Sequence, residues 1–481
     1  MPYKWRVLIA VCFGTYMATM DFSIVNVALP ELSREFGRSP DTVVWATLIS
    51  NLVVTGLTLT AGRTGDLWGR KRVYVTGWVF FTTGMALAVF AQSIEQLIAT
   101  RFVQSIGVAM AIANGNAIIT AAFPDRERGQ ALGVVGAVVG AGLMSGPVMG
   151  GLILAVFDWH AIFWLRIPIG LAAMTMAVFM IRESEGIAGP RRLDIPGALL
   201  LFVALSGSLL AVNRGQAWGW DSPQILALFA VGAVALVAFI RVELRSPSPV
   251  VSLALFKIRT FSVSVVALVL NFMGQSAVLF LMPYYLIEVR GFSTAHTGLI
   301  VATVPSMMLL LSWTSGWFAD RFAFKYQPTL GCALVALGLA SLATLGPETR
   351  DLMIVARLAL VGIGTAIFMT PNSSAIMGTV PREMLGTASA SVGTARNIGN
   401  ATGLAMAGAV LVGVGTASAG IADIAPADLP AEALLDGIRA AFLVAAVASS
   451  AAIVATTFRG PLTTRESQAA SQPVGTPGGG R

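Results

Sequence analysis

Long apolar runs recur from one end of the chain to the other, each closed by a short polar or basic segment. A helix crosses the hydrocarbon of a bilayer with about 20 mostly apolar residues, and the runs match that length. They predict about fourteen membrane-spanning helices, at 6–29, 42–61, 73–91, 95–116, 130–156, 161–181, 196–213, 223–241, 261–287, 296–318, 328–346, 350–371, 386–413 and 438–458. The pair near 196–241 is the least regular, because 213–223 also reads as an interfacial loop. The first run follows a basic start and is too long for the apolar region of a secretory signal, so it reads as a retained first helix.

Composition agrees with the pattern. Of the 481 residues, 56% are hydrophobic and 11% charged, against about 25% charged in soluble domains. Such a chain cannot cover a water-facing surface, so it is expected to be an all-α polytopic membrane protein embedded in the lipid bilayer. The net charge of +7 could suggest an anionic partner, but the placement of the charges explains it without nucleic acid. With the N-terminus in the cytoplasm, about 21 lysines and arginines fall on the inner side and about 6 on the outer, as the positive-inside rule requires. An even helix number then puts both termini in the cytoplasm, in the cell inner (plasma) membrane. Cys12 and Cys332 lie in apolar runs and read as core residues rather than a disulfide.

The chain repeats itself. Gly62-Arg-Thr-Gly-Asp66 recurs as Gly316-Trp-Phe-Ala-Asp320, a shift of 254 that also carries Asp21 to Gln275, and Arg101 recurs as Arg357 at 256. Parallel repeats of this kind mark transporters. They divide the chain into an N-terminal six-helix half (1–181), a linker with two extra transmembrane helices (182–260), a C-terminal six-helix half (261–460) and a disordered cytoplasmic tail (461–481).

Three groups of residues carry candidate chemistry. Asp21 and Arg101 each sit roughly 10 Å below the outer surface, at about 1.5 Å per residue. A lone charge there costs at least ~2.5–3.5 kcal/mol. They are therefore expected to face the bundle interior, either as a static pair tying two helices or as a carboxyl that loads and releases a proton when the arginine moves. Gly62, Asp66, Gly69, Arg70 and Arg72 lie between the second and third helices, where they read as a latch or as a plain basic loop. Gly142, Gly146, Pro147, Gly150 and Gly151 give the fifth helix a face that permits close approach and a kink, suited to hinging or simply to tight packing. Other embedded polar residues, Asn26, Asn51, Asn114, Asn271, Gln275, Arg357, Asn372, Arg396 and Asn400, are candidates to line a cavity. No nucleotide loop, zinc spacing or nucleophile elbow occurs in a fitting context, so neither an enzyme nor an ATP-driven pump is expected.

These residues resemble the fourteen-helix drug:proton antiporter branch of the major facilitator superfamily, of the multidrug or quaternary-ammonium exporter type. Met20-Asp-Phe-Ser-Ile-Val-Asn-Val-Ala-Leu-Pro30 is similar to that branch's first-helix motif, Gly62 to Arg72 to the superfamily's loop motif, and Arg101-Phe-Val-Gln104 to the fourth-helix motif tied to proton transfer. Gly142-x-x-x-Gly146-Pro147-x-x-Gly150-Gly151 resembles the exporters' antiporter motif and is the most specific of the four. The resemblance implies the major-facilitator fold, with Asp21 and Arg101 as the proton-coupling pair and Asp66, Gly69, Arg70 and Arg72 as the gate. It also implies a chemical cofactor of none beyond the proton gradient, and a monomer exchanging protons for a small lipophilic substrate. The alternative is a dedicated exporter of one antibiotic, siderophore or lipid-like amphiphile. The sequence departs from the motifs at Thr64, Leu67, Ser105, His160 and Arg166, and its second loop motif, Gly316 to Gln327, is degraded enough to predict a weaker C-terminal gate. Well inside the spans Asp21 is the one acid, against Arg101, Arg357 and Arg396, with Arg166 near the rim. That balance suits neutral, zwitterionic or anionic amphiphiles better than dications.

Overall fold

The computed structural model describes residues 1–183, 192–322, 324–420 and 429–458. Residues 184–191 of the expected linker and the expected disordered tail at 461–481 lie outside the described residues. Every regular element described is a helix.

The first half contains α1 (Tyr3–Phe36), α2 (Pro40–Val43), α3 (Trp45–Trp68), α4 (Arg70–Ala88), α5 (Ile94–Ala122), α6 (Arg128–Leu154), α7 (Ala161–Trp164) and α8 (Ile167–Met180). A hairpin of α9 (Ile195–Trp218) and α10 (Pro223–Glu243) follows. The second half contains α11 (Arg259–Tyr284), α12 (Thr294–Val301), α13 (Thr303–Phe322), α14 (Gln327–Leu342), α15 (Asp351–Gly378), α16 (Leu385–Ala419) and α17 (Ala431–Thr457). Among the described residues, twelve helical segments are long and apolar enough to cross a bilayer, so the expected count of fourteen is not met. The difference lies in α4, which opens on Arg70, Lys71 and Arg72, and in α14, which has 16 residues.

Several helices outrun their apolar stretches. The expected first span ends at residue 29, yet α1 continues through Pro30 to Phe36. Leu32 stays buried on its packed face, and Gly37, with φ +57°, stops the helix in the left-handed conformation that glycine adopts freely. Burial along α1 recurs at Met17, Asp21, Ile24, Ala28 and Leu32, the three-to-four residue spacing of one helix face.

One core, with Tyr74, Trp78 and Phe81, fills the first half and runs on into the second at Phe261, Phe272 and Phe368; another, with Tyr285, Leu339 and Phe442, lies within the second half. The halves meet along two seams, α3 against α16 and α6 against α13. The seams are reciprocal, because each pairs a helix ending in the repeated Gly-x-x-x-Asp with the start of a helix in the other half. The hairpin flanks the α3–α16 seam, where the Ser206 hydroxyl donates to the Leu52 carbonyl at 3.0 Å. Gly219, with φ +84°, opens the turn of the hairpin, so 213–223 is mostly helix rather than an interfacial loop.

Candidate functional site

Asp21 lies on the packed face of α1, 3% exposed. Its carboxylate accepts from the Arg101 guanidinium at 3.0 and 3.2 Å, from Arg166 at 2.6 Å and from the Gln104 amide at 2.9 Å. The sequence reading anticipated Arg101. It placed Arg166 near the rim, and the structure corrects that, since Arg166 is 1% exposed. The expected continuous span 161–181 breaks after α7, and Arg166 occupies the break as the residue preceding α8. Its Nε donates to the Ile162 carbonyl at 2.5 Å, which aims the remaining guanidinium at Asp21. Gln104, one turn after Arg101 on α5, closes the group by accepting from Arg101 Nη1 at 2.5 Å. Arg101 Nε also donates to the Ala46 carbonyl of α3. One carboxylate therefore ties four elements of the first half and faces two guanidinium groups, a local excess of one positive charge. The departure noted at Arg166 was the sequence signal for this second cation.

At the end of the bundle that carries the start of α1 and the end of α17, two carboxylates bridge the halves. Asp66, near the end of α3, accepts from the Gly386 and Thr387 amides at 2.7 and 2.8 Å and from the Thr387 hydroxyl at 2.9 Å. Those amides belong to the first turn of α16, where unpaired N–H groups and the helix dipole favour an anion. Arg70 holds the same carboxylate with Nε at 3.2 Å and Nη2 at 2.9 Å, and crosses the seam to the Arg382 carbonyl at 2.5 Å. Gly62 makes the contact possible, because a Cβ there would meet Ala390 and the Gly386 backbone. Gly69, with φ +105°, turns the chain from α3 into α4 so that Arg70 faces back. Arg72 stands apart from this latch, exposed and paired with Glu183 at 3.3 Å.

The second latch mirrors the first. Asp320, near the end of α13, accepts from the Gly129 and Gln130 amides of α6 at 2.9 and 2.7 Å. A Cβ on Gly316 would strike the Gly129 backbone. Phe324 stands where Arg70 stands in the first latch, while the Arg128 guanidinium lies close enough to act on the Asp320 carboxylate. The pair of amides is as close. A signal for the receiving ends was present in the chain, because Pro124 and Gly129 recur five residues apart as Pro381 and Gly386. Toward the opposite end of the bundle, the Ser306 hydroxyl at the start of α13 donates to the Met144 sulfur of α6 at 3.4 Å.

Gly142, Gly146 and Gly150 form the face of α6 that touches α1 at Thr19, Ser23 and Ile24. The Ser23 hydroxyl donates to the Gly142 carbonyl at 3.4 Å, which directs a polar contact into an otherwise apolar seam. Pro147 is exposed and withdraws one amide from the helical ladder. Gly151 has open space around it, so it contributes nothing to this packing.

A cavity of about 50 Å³ lies between the halves, walled by α1, α4, α5, α6, α15 and α16. Of the embedded polar residues of the sequence, Arg396 of α16 and Asn116 of α5 are on this wall. The others serve different ends. Asn114 donates to the Ala61 and Met110 carbonyls, and Asn372 donates to the Ser264 carbonyl at 3.0 Å, so both brace helix contacts. Asn271 and Gln275 direct their amides at the sulfurs of Cys332 and Met308 inside the second half. Asn26 is exposed and bonds to the Phe22 carbonyl. Asn51, Arg357 and Asn400 are half-buried and off the cavity wall. Cys12 and Cys332 are free thiols.

Residues 11–404 match the family model of the Major Facilitator Superfamily. The chain is 33% identical over 409 residues to the riboflavin transporter RibZ of Clostridioides difficile, covering 84% of this chain and 88% of that protein. It is 31% identical over 405 residues to the multidrug resistance protein Stp of Mycobacterium tuberculosis, covering 84% and 75%. It is also 27% identical over 407 residues to the tetracenomycin C resistance and export protein of Streptomyces glaucescens, covering 85% and 76%. In three dimensions it resembles the human organic anion transporter MFSD10, with a TM-score of 0.65 at 17% identity over 95% of this chain and all of that one.

Proposed function

The chain belongs to the Major Facilitator Superfamily, a family of transporters rather than enzymes, and on that premise we propose that it is a proton-coupled antiporter exporting lipophilic small molecules by alternating access. The observation that carries the proposal is the buried Asp21 group. In this conformation the carboxylate is bracketed by two arginines and forms an ion pair with each. Protonating it cancels both ion pairs and leaves two guanidinium groups facing each other, so the group must loosen when a proton arrives. A site that prefers different protonation states in two conformations is what proton coupling requires.

The latches supply the conformational part. Bonds join the halves at the end that carries the positive loops, which the positive-inside rule puts in the cytoplasm. In that orientation, in the plasma membrane with both termini inside, this is the state closed to the cytoplasm. Asp21 takes a proton from outside; the latches then part as the halves rock. The proton leaves inward, cargo binds between the halves, and the return step releases it outside. The proposal includes fourteen crossings, with α4 and α14 as the two additional ones. Each packs at an equivalent place in its half, α4 on α5 and α8, α14 on α15 and α17. The transporter works as a monomer.

Two relatives, the riboflavin transporter and the tetracenomycin C export protein, favour a second reading in which one cargo is carried. The antiport itself is tested by loading proteoliposomes with a candidate cargo at equal pH on both sides. Outward movement of cargo should acidify the lumen of right-side-out vesicles, read with an internal pH dye. Cargo movement with no proton counterflow would remove the antiport reading.

A further inference from the structure

The cavity between the halves has a single charged residue on its wall, Arg396 of α16, and no acid. Among the described residues, Arg396 has no hydrogen bond or ion pair. Among the other arginines, Arg101 and Arg166 are committed to Asp21, Arg70 to Asp66 and Arg214 to Asp41, while Arg357 of α15, whose Nη1 also has no partner among the described residues, lies off the cavity wall. Facing Arg396 from the other half, the Asn116 side chain of α5 also has no partner among the described residues. The remaining wall is largely aliphatic, with Ile112, Val139, Met369 and Val392.

We propose that this cavity binds the cargo's anionic group: the exported substrates are organic monoanions, a carboxylate on an apolar body, with the carboxylate on Arg396 and Asn116. The proposal rests on the transporter reading above and names its substrate class. A guanidinium presents parallel N–H donors that match the two oxygens of a carboxylate. An unpaired guanidinium in the membrane interior is expensive and marks a ligand path. Asp21 cannot supply its counter-charge, because that carboxylate is already bonded to three other side chains. Because Arg396 and Asn116 belong to opposite halves, an anion held by both bridges the seam, so its binding bears directly on whether the halves separate. At about 50 Å³ the cavity is contracted in this conformation, and the bridge forms as the halves open. A fixed positive charge with no acid beside it disfavours quaternary ammonium cargo.

The test is equilibrium binding to the purified full chain in detergent without any gradient, using matched sets of probes. Each set carries a carboxylate, its neutral amide or a trimethylammonium on the same naphthalene, biphenyl or decyl body. The carboxylate is expected to bind at least about tenfold tighter than the amide in at least one set, since a charge-assisted bond contributes at least that much. Arg396→Gln should erase the preference while leaving amide affinity within about twofold, and Arg396→Lys, which keeps the charge and controls for folding, should retain part of it. Equal affinity for anion and cation in all sets, no binding by any probe, or a preference that survives Arg396→Gln would overturn the proposal. Failure of the antiport reading appears separately, as anion binding without proton-driven accumulation.

Discussion

Removing a latch carboxylate should open the terminal end of the bundle by a predictable amount. Asp66→Ala deletes three bonds across the α3–α16 seam, to Gly386 N, Thr387 N and Thr387 Oγ1. Bonds to a charged group contribute roughly 1.5–3 kcal/mol each, but water re-solvates the freed amides, so the net loss is about 3 kcal/mol. At 1.4 kcal/mol per factor of ten, the equilibrium shifts roughly 100-fold toward the open end. Asp320→Ala deletes two bonds, about 2 kcal/mol and a shift of roughly 30-fold. The latches sit on different helix pairs, so their effects should add. Spin labels at Arg126→Cys and Glu383→Cys, both exposed and in opposite halves at this end, would report the opening by pulsed electron resonance in a background lacking Cys12 and Cys332. The expected result is a longer-distance population that grows from wild type to Asp320→Ala to Asp66→Ala to the double variant. Unchanged distances in Asp66→Ala, or a larger effect from Asp320→Ala, would refute the assignment of these carboxylates as latches.

Two further outcomes follow from the first half. Gly146→Leu should force α1 from α6, because even a Cβ there meets Ser23 Oγ and lies 3.1 Å from the Ile24 amide; overpacking of this kind costs about 1–3 kcal/mol, and thermal melting in detergent should show it together with loss of transport. Arg166→Asn should lower stability by roughly 1.5–3 kcal/mol, the contribution of a bond to a charged group, and that penalty should shrink or reverse in an Asp21→Asn background, where Arg101 and Arg166 only repel. Equal penalties in both backgrounds would mean that Arg166 acts independently of Asp21.

The parts of this molecule that were legible in its sequence are those that depend on local composition. Apolar runs placed the helices, and Asp21 and Arg101 declared themselves because charges embedded in such runs are costly. The repeat of Gly62–Asp66 at Gly316–Asp320 located both latch carboxylates. What stayed hidden depends on long-range partners. The strength of the second latch could not be seen, because Asp320 binds backbone amides of α6, about 190 positions away, and an amide carries no side-chain signature. Arg166 was misplaced because the run 161–181 was read as one continuous helix, although Pro168 in the first turn of α8 marks the break after α7. The candidate cavity residues were read from polarity alone. Polarity does not distinguish an asparagine such as Asn372, which braces a helix contact, from an arginine such as Arg396, which faces open space.

The proposed function rests on Asp21 coupling cargo to protons. The most direct measurement is uptake into proteoliposomes under an imposed pH gradient, comparing wild type with Asp21→Asn across cationic, neutral and anionic amphiphiles, with binding measured in parallel. If Asp21 couples cargo to protons, wild type shows gradient-driven accumulation that Asp21→Asn abolishes while cargo binding remains. Accumulation that ignores the gradient, or that survives Asp21→Asn, would contradict it and leave the buried cluster as a brace between helices.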